Sequence, residues 1–271
     1  MNFEQRNIQI DDISISYYDE GSPSSPVLLF IHGFPFSKAI WESEIELLKD
    51  NFRIIAYDVR GFGQSDAGTL SFSIQQFAND LLLFISALQL DKIILCGHSM
   101  GGYIALLAIT QDPDRFNGLI LCNTQCVEDS AETKIKRADT VLAVQANGLK
   151  KYAADSIDKL FSKTALVEYP KAVTFVEEII LNTPLETITH TLQALANRSE
   201  TCSLLHTITV PVLIIVGADD QLTPIEASQK MQALIPQSDL KILEGVGHIT
   251  NLEAPEEFLH SLRFFLASLK T

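Results

Sequence analysis

Ser99 lies between two glycines in the segment CGHSMGG, residues 96–102. The segment directly follows the β-rich run KIILC (92–96) and directly precedes the helical run YIALLAIT (103–110). A glycine-x-serine-x-glycine segment between a strand and a helix is the pattern of a nucleophile elbow, a strained turn that exposes the serine hydroxyl. The pattern predicts that Ser99 is a nucleophile, and an ordinary glycine-rich turn into a helix is the alternative.

A serine hydroxyl becomes a good nucleophile only when a base takes its proton and a third group orients that base. His248 follows the run LKIL (240–243) and precedes the last helical stretch, so we expect it in a loop at the carboxyl end of a strand. Ligands bind at this edge of open parallel sheets. From the position of His248 alone, a structural role in the loop is as well supported as a role as the base. We interpret the other five histidines as structural: His32, His98, His190, His206 and His260.

An acid that orients the histidine is expected at another strand end. The run VPVLIIVG (210–217) is followed by Asp219 and Asp220, either of which fits from its position. Two acids beside a turn are in themselves typical of a solvated loop. The order serine, aspartate, histidine along the chain nevertheless matches the order in which a nucleophile elbow is followed by its partners.

The negative charge that forms on an attacked carbonyl needs donors already aimed at it, usually backbone amides. Met100 directly follows the serine at a predicted helix start, where the helix dipole adds to the effect of its amide. A second amide should come from the loop HGFP (32–35) after the run VLLFI (27–31), and we assign it to Phe34. An ordinary strand-to-helix turn is the alternative for this loop.

The elements that would position these residues alternate along the chain. Segments 3–10 and 13–18 predict a hairpin. Six short, β-branched apolar runs predict strands buried on both faces: 27–31, 52–57, 92–96, 118–122, 210–217 and 240–243. Helical stretches are predicted at 37–48, 73–88, 100–110, 223–234 and 255–269. This alternation predicts an α/β fold, a mostly parallel sheet wrapped by helices.

One long segment breaks the alternation. From Asn123 to about His206 the sequence has helical periodicity without a β-rich run, which predicts a helical cap inserted between two strands of the sheet. The predicted domains are a core over 1–123, the cap over 124–206 and the rest of the core over 207–271. Capping boxes predict helix starts at Ser73 with Gln76, Thr183 with Glu186 and Thr223 with Glu226, the last two with proline at the first helical position.

Composition narrows the classes of partner. The chain has 271 residues, with 34 acidic and 20 basic side chains and a formal charge of -14, which disfavours nucleic acid and anionic membrane surfaces and favours neutral small molecules. No run of 18 apolar residues or secretory leader is apparent, so a cytoplasmic location is expected. The four cysteines have no metal spacing and are expected to be buried thiols: Cys96, Cys122, Cys126 and Cys202.

Nearly the whole chain resembles the α/β-hydrolase superfamily, closest to carboxylesterases and 3-oxoadipate enol-lactonase-like proteins. The motifs that carry the resemblance are HGFP (32–35), DVRGFGQSD (58–66), GHSMGG (97–102), GADDQLTP (217–224) and a closing histidine motif with His248, Glu253 and Pro255. In the family's acid loop the catalytic aspartate stands four residues before the proline, which selects Asp220. The resemblance also implies that Asp58, Arg60 and Asp66 are structural loop residues.

These residues together imply hydrolysis of small, mostly neutral carboxylic esters through an acyl-enzyme. Ser99 would attack, His248 would take its proton, Asp220 would stabilise the imidazolium, and the Phe34 and Met100 amides would hold the oxyanion. No metal or organic cofactor is implied, and the expected partner is a small-molecule ester or lactone. Apolar cap residues are expected to cover the site: Leu142, Phe161, Phe175 and Leu192.

Other activities stay open. Lactone hydrolysis uses the same three residues. Hydrolysis of carbon–carbon bonds is less favoured, because Ile249 follows the histidine where those relatives usually have tryptophan. Serine at position 99 excludes dehalogenases and epoxide hydrolases, which carry aspartate there. A binding protein of the same fold with little turnover is the alternative of another class. Six cap cations could anchor a carboxylate if one faced inward: Lys134, Lys136, Arg137, Lys150, Lys151 and Arg198.

Overall fold

The computed structural model describes residues 3–69 and 71–269. Eight strands form one sheet in the order β1-β2-β4-β3-β5-β6-β7-β8. They are β1 (Arg6–Ile10), β2 (Ile13–Glu20), β3 (Val27–Ile31), β4 (Arg53–Tyr57), β5 (Ile93–His98), β6 (Phe116–Cys122), β7 (Val212–Gly217) and β8 (Ser238–Leu243). Strand β2 runs antiparallel to β1 and β4, whereas all pairs from β4 to β8 are parallel. The predicted hairpin and mostly parallel sheet are confirmed.

Helices cover both faces of this sheet, and a further group lies over its carboxyl edge. They are α1 (Glu42–Leu48), α2 (Ile74–Ala87), α3 (Met100–Gln111), α4 (Ala131–Leu160), α5 (Lys163–Glu168), α6 (Pro170–Asn182), α7 (Leu185–Ala196), α8 (Ile225–Leu234), α9 (Thr250–Glu253) and α10 (Pro255–Ser268). Helices α4 to α7 all fall between β6 and β7. None of the helices in the described part of the chain is long and apolar enough to span a membrane.

Two cores explain why the central strands read as continuous apolar runs. Leu95 and Leu119 point into a core with helices α2, α3 and α8, whereas Ile94 and Ile120 point into a core with α1 and α10. Both sides of each strand are therefore removed from water, so neither face needs polar side chains. The polar residues gather where the strands end.

The predicted structural roles of the loop after β4 agree with the contacts found there. Asp58 accepts a hydrogen bond from the backbone of Lys38 and pairs with its ammonium, and both side chains are buried. Arg60 makes a bidentate pair with Asp80 at 2.7 and 2.8 Å. Asp66 accepts a hydrogen bond from the backbone of strand β2. Buried charges of this kind are tolerated because each has several partners.

The helix starts were only partly predicted. Ser73 Oγ accepts a hydrogen bond from the Gln76 amide at 3.0 Å, as its capping box predicts. The capping box at Thr183 is wrong, because its hydroxyl donates instead to the Ile179 carbonyl in the last turn of α6, and α7 begins at Leu185. The last carbonyls of a helix have no partner within the helix. The Thr183 hydroxyl bonds one of them, that of Ile179, instead of capping the helix that follows.

Two of the four cysteines are not free thiols. Cys126 and Cys202 form a disulfide, which corrects the prediction for this pair, whereas Cys96 and Cys122 are free and buried as expected. Their separation of 76 residues gives no hint of the contact. The pair meets because the segments that hold the two cysteines begin and end the excursion between the neighbouring strands β6 and β7. The disulfide therefore closes the base of the helical segment.

The apolar residues expected to cover the site differ in burial. Phe161 and Leu192 are buried and Phe175 is partly buried. Leu142 is 65% exposed, so its predicted covering role is wrong. It lies on the solvent side of α4, whose inner side is formed by Val141 and Val144.

Candidate active site

The residues predicted to be the nucleophile, the base and the orienting acid lie at the carboxyl edge of the sheet. Ser99 directly follows β5, Asp220 follows β7 and His248 follows β8. Parallel strands end at the same edge, so residues far apart in sequence meet there. The structure brings all three together.

Ser99 is held in a strained turn between β5 and α3. Its φ and ψ are 51° and -114°, a conformation that residues other than glycine rarely adopt. Gly97 and Gly101 permit the turn, since a Cβ atom on either would lie 2.4 Å from a backbone carbonyl oxygen. The Ser99 amide donates to the Cys122 carbonyl at 2.8 Å and ties the turn to strand β6.

Hydrogen bonds link the three side chains in sequence. His248 Nδ1 lies 2.8 Å from Asp220 Oδ2, and His248 Nε2 lies 2.9 Å from Ser99 Oγ. A carboxylate can only accept, so Nδ1 carries the proton and Nε2 is left to accept from the serine hydroxyl. His248 and Asp220 are buried. The arrangement has the geometry of a nucleophile, a base and an orienting acid.

Asp220 accepts five hydrogen bonds. Besides His248, its Oδ2 receives the Thr223 hydroxyl and the Asn123 amide, and its Oδ1 receives the backbone amides of Leu222 and Thr223 at 2.8 and 3.1 Å. Burial alone would raise the pKa of Asp220, but His248 and the Thr223 and Asn123 donors outweigh it and lower the pKa. The capping box predicted at Thr223 is therefore wrong, because its hydroxyl serves the acid rather than the helix.

Asp219, the other acid of this loop, takes no part in the arrangement. Its side chain is exposed, and its backbone amide donates to the Val246 carbonyl at 2.8 Å. The distances thus favour Asp220 as the partner of His248.

Asn123 also contacts the acid, although its role was not predicted from the sequence. It is fully buried with φ 46° directly after β6, and its Nδ2 donates to Asp220 Oδ2 at 2.8 Å and to the Gly247 carbonyl at 3.2 Å. Its Oδ1 accepts the Thr250 hydroxyl at 2.9 Å. One amide therefore contacts both the acid and the loop that holds His248. In the sequence, the only indication of this role was the position of Asn123 directly after a predicted strand.

The loop around His248 is fixed from two further sides. His98 Nε2 donates to the His248 carbonyl at 2.7 Å, and burial lowers the pKa of His98 to about 3, so it is a neutral support. Glu253 accepts the amides on either side of the histidine, from Gly247 at 2.9 Å and Ile249 at 3.2 Å. Glu253 was present in the closing motif, but its role could not be read from the sequence.

The remaining histidines lie away from this chemistry. Burial lowers the pKa of His32 to about 4, and its ring bonds the backbone of neighbouring loops. His190, His206 and His260 are exposed. No group of three or more histidine, cysteine or acidic side chains in residues 3–69 and 71–269 is arranged to hold a metal ion.

The two residues assigned to the oxyanion lie beside the serine. Met100 is the first residue of α3, and an amide at this position has no acceptor within its own helix. Phe34 lies in a tight turn after β3, closed by a hydrogen bond from the Phe36 amide to the Gly33 carbonyl at 2.9 Å. Phe34 and Met100 line one cavity together with Ser99 and His248.

That cavity has a volume of about 750 Å³ and lies between the sheet edge and the helical segment. Leu160, Leu192 and Leu195 form apolar parts of its wall. Arg137 of α4 also lines it, and its side chain is 23% exposed. The space accommodates a small organic molecule next to the Ser99 hydroxyl.

Known proteins of similar sequence and structure agree with this architecture. 3-Oxoadipate enol-lactonase 2 of Acinetobacter baylyi is 28% identical over 251 residues, covering 93% of this chain and 92% of that protein. A thermophilic esterase from Thermogutta terrifontis, with malate bound, is 32% identical with a TM-score of 0.91 and covers 99% of this chain and 100% of its own. The enol-lactonase of Burkholderia xenovorans LB400 has a TM-score of 0.89 at 21% identity, covering 97% and 100% of the two chains, which is a likeness of fold alone.

The family model described as alpha/beta hydrolase fold matches residues 26–255. This range includes the nucleophile elbow, the acid loop and the histidine loop. It confirms the resemblance inferred from the motifs, and this chain belongs to the α/β-hydrolase fold family.

Proposed function

We propose that this protein is a serine hydrolase that cleaves carboxylic esters through an acyl-enzyme. The observation that carries the proposal is the continuous hydrogen-bonded path from Ser99 Oγ through His248 to Asp220, with separations of 2.9 and 2.8 Å. A path of this kind activates a hydroxyl that is otherwise a weak nucleophile.

In the proposed first step Ser99 Oγ attacks the ester carbonyl and His248 Nε2 takes its proton. Asp220 stays ionised and stabilises the imidazolium. The amides of Phe34 and Met100 would donate to the oxyanion of the tetrahedral intermediate. When this intermediate collapses, His248 returns the proton to the leaving alcohol and the acyl group remains on Ser99.

Water then repeats the sequence on the acyl-enzyme. His248 takes a proton from the water as the water attacks the acyl carbonyl, and the proton passes to Ser99 Oγ as the acid is released. Both half-reactions are complete with groups of this chain and water, so we propose that no metal or organic cofactor takes part.

The second candidate is hydrolysis of a lactone, which is an internal ester open to the same attack. Similarity to enol-lactonase 2 of Acinetobacter baylyi over nearly the whole chain favours it. The esterase of Thermogutta terrifontis holds malate, a dicarboxylate, which favours acidic ligands. Carbon–carbon bond hydrolysis has no comparable support among these relatives.

We propose that residues 124–206 act as a cap. Leu160, Leu192 and Leu195 lie across the cavity from the sheet edge, so this segment would select the acyl or alcohol group of the substrate. Its two ends are joined by the disulfide. We therefore expect it to stay packed over the site.

The disulfide also bears on where the protein works. Disulfides persist in oxidising compartments and are rare in the cytosol. The Cys126–Cys202 pair therefore weighs against the cytoplasmic location expected from the sequence. Titration of thiols in denatured, unreduced protein tests whether the disulfide forms. Two free thiols per chain would support the disulfide, and four would contradict it.

Hydrolysis of 4-nitrophenyl acetate and butyrate tests the proposed function. We expect turnover by the wild-type protein and its loss in Ser99→Ala, by roughly three powers of ten or more. Ligand-binding proteins of this fold would give no turnover with any member of a panel of esters and lactones. That result would overturn the hydrolase proposal in favour of binding.

A further inference from the structure

Arg137 lies in the wall of the active-site cavity and has hydrogen-bond donors that are not engaged by the protein. Its Nε donates to Asp129. Its two terminal amino groups make no hydrogen bond with any residue in 3–69 or 71–269. A guanidinium presents donors in a planar fork that matches the two oxygens of a carboxylate.

The neighbouring charges leave this arginine with excess positive charge. Asp129 is buried and also accepts Arg198 Nη1 at 2.6 Å. Arg198 is itself buried; its Nη1 also donates to the Leu195 carbonyl, its Nη2 donates to the Val127 carbonyl, and its Nε has no partner in the described part of the chain. One carboxylate is therefore shared by two guanidinium groups, and the cluster carries a net charge of about +1.

Two aromatic residues connect the cluster to the reacting end of the cavity. The ring of Tyr152 packs against Phe34 with centroids 6.5 Å apart, and Tyr152 lines the cavity together with Arg137. Tyr103 lines the same cavity, and Arg198 lies 4.5 Å above its ring. The Tyr103 hydroxyl has no hydrogen-bond partner in the described part of the chain, so it is a further donor available to a ligand.

We propose that Arg137 binds a carboxylate of the substrate, and that the preferred substrates are small esters or lactones that carry a second, ionised carboxyl group. The inference rests on the proposed esterase function for its catalytic part. This proposal replaces the expectation of neutral substrates. That expectation was based on the overall charge of -14, which does not show where the individual charged side chains lie. An arginine within the cavity acts at contact distance, where the long-range field of the whole protein matters less.

Matched pairs of esters separate charge recognition from general effects on catalysis. Monomethyl glutarate carries a carboxylate in the acyl part, and O-acetylglycolate carries one in the alcohol part. Their methyl esters, dimethyl glutarate and methyl acetoxyacetate, are the neutral partners. The quantity compared is kcat/KM for each ester, from the release of acid.

For Arg137→Gln we expect kcat/KM for at least one anionic ester to fall by about tenfold to a hundredfold, mostly through KM, with little change for its neutral partner. Arg137→Lys should retain part of the preference, since it keeps the charge and loses the fork. The matched control is Lys136→Gln, which removes a cation next to it in sequence that also lines the cavity but is exposed and paired with Glu132. We expect this control to alter the preference by less than about threefold.

Equal losses for anionic and neutral esters in Arg137→Gln would overturn the proposal and leave Arg137 a structural partner of Asp129. So would an unchanged preference, or an equal effect in Lys136→Gln. Calorimetric binding of glutarate to wild-type and Arg137→Gln protein keeps the test independent of turnover. Binding that depends on Arg137 without ester turnover would support the carboxylate site and contradict the esterase function; absence of both would contradict both.

Discussion

Asp220 illustrates how a single side chain is prepared for its proposed role. Five donors surround its two oxygens, from three segments that follow strands β6, β7 and β8. They keep the carboxylate ionised despite burial, and only an ionised carboxylate fixes the Nδ1–H tautomer of His248. Asp219, one residue away, has none of these contacts.

The difference between the two acids gives a direct prediction. Asp220→Asn should lower kcat for ester hydrolysis by about 10⁴-fold, because an amide permits the wrong imidazole tautomer. Asp219→Asn should alter kcat by less than about threefold, as is usual for an exposed side chain. Steady-state kinetics on purified, folded variants measures both. The opposite ranking would show that the acid is Asp219.

Asn123 is predicted to be a positioning residue for this acid. Both Asn123→Gly and Asn123→Ala remove its amide and should lower kcat by about tenfold to a hundredfold. Glycine tolerates the positive φ of this position, whereas alanine should lose a further 1–2 kcal/mol or so of unfolding free energy. Urea unfolding with kinetics separates the two effects. Full activity in the glycine variant would refute the positioning role.

Glu44 predicts how stability depends on pH. It is buried on α1, and burial raises the pKa of Glu44 to about 8 from 4.5. The folded state therefore holds this proton more tightly than the unfolded state, so its contribution to the unfolding free energy falls as pH rises from about 4.5 to 8. The slope is at most about 1.4 kcal/mol per pH unit.

Replacing Glu44 with glutamine removes the titration and keeps the shape. Unfolding free energies of Glu44→Gln and wild-type protein, measured from pH 5 to 9, should differ in slope by the amount that Glu44 contributes. Parallel curves would mean that this carboxyl does not hold its proton.

At the scale of elements, each residue of the proposed mechanism is placed by a strand end. The strands were predictable because burial on both faces gives uninterrupted apolar runs, and the elbow because its backbone geometry demands glycine. Contacts between distant loops were not predictable. Asn123 and Asp220 are 97 residues apart and Cys126 and Cys202 are 76 apart, and no local pattern encodes either pairing.

The disulfide is expected to stabilise the folded chain. Replacing both Cys126 and Cys202 with serine should lower the unfolding free energy by about 2–4 kcal/mol, since the unfolded chain regains the freedom of a long loop. Activity at 25 °C should change little, because the Thr201 amide still donates to the Cys126 carbonyl at the same place. Urea unfolding with and without reductant tests this. Wild-type protein that is as stable in reductant as without it would contradict the prediction.

For the whole molecule, overall charge and local charge give different expectations about substrates. The formal charge of -14 determines the long-range electrostatic field that an ion far from the protein experiences. Arg137 lines the cavity that contains Ser99 and shares Asp129 with Arg198, so we expect a substrate in this cavity to meet a positive group. Composition gives the overall charge but could not predict where the individual cations lie in the folded chain.

In the proposed mechanism Ser99 forms a covalent acyl intermediate. An organophosphate such as paraoxon reacts with activated serines and leaves a stable adduct, which peptide mass spectrometry can locate. We predict one adduct per chain, on the peptide that contains Ser99, formed in step with the loss of esterase activity. Ser99→Ala and Asp220→Asn should label slowly or not at all. An adduct on another residue, or full loss of activity with Ser99 unmodified, would contradict the account.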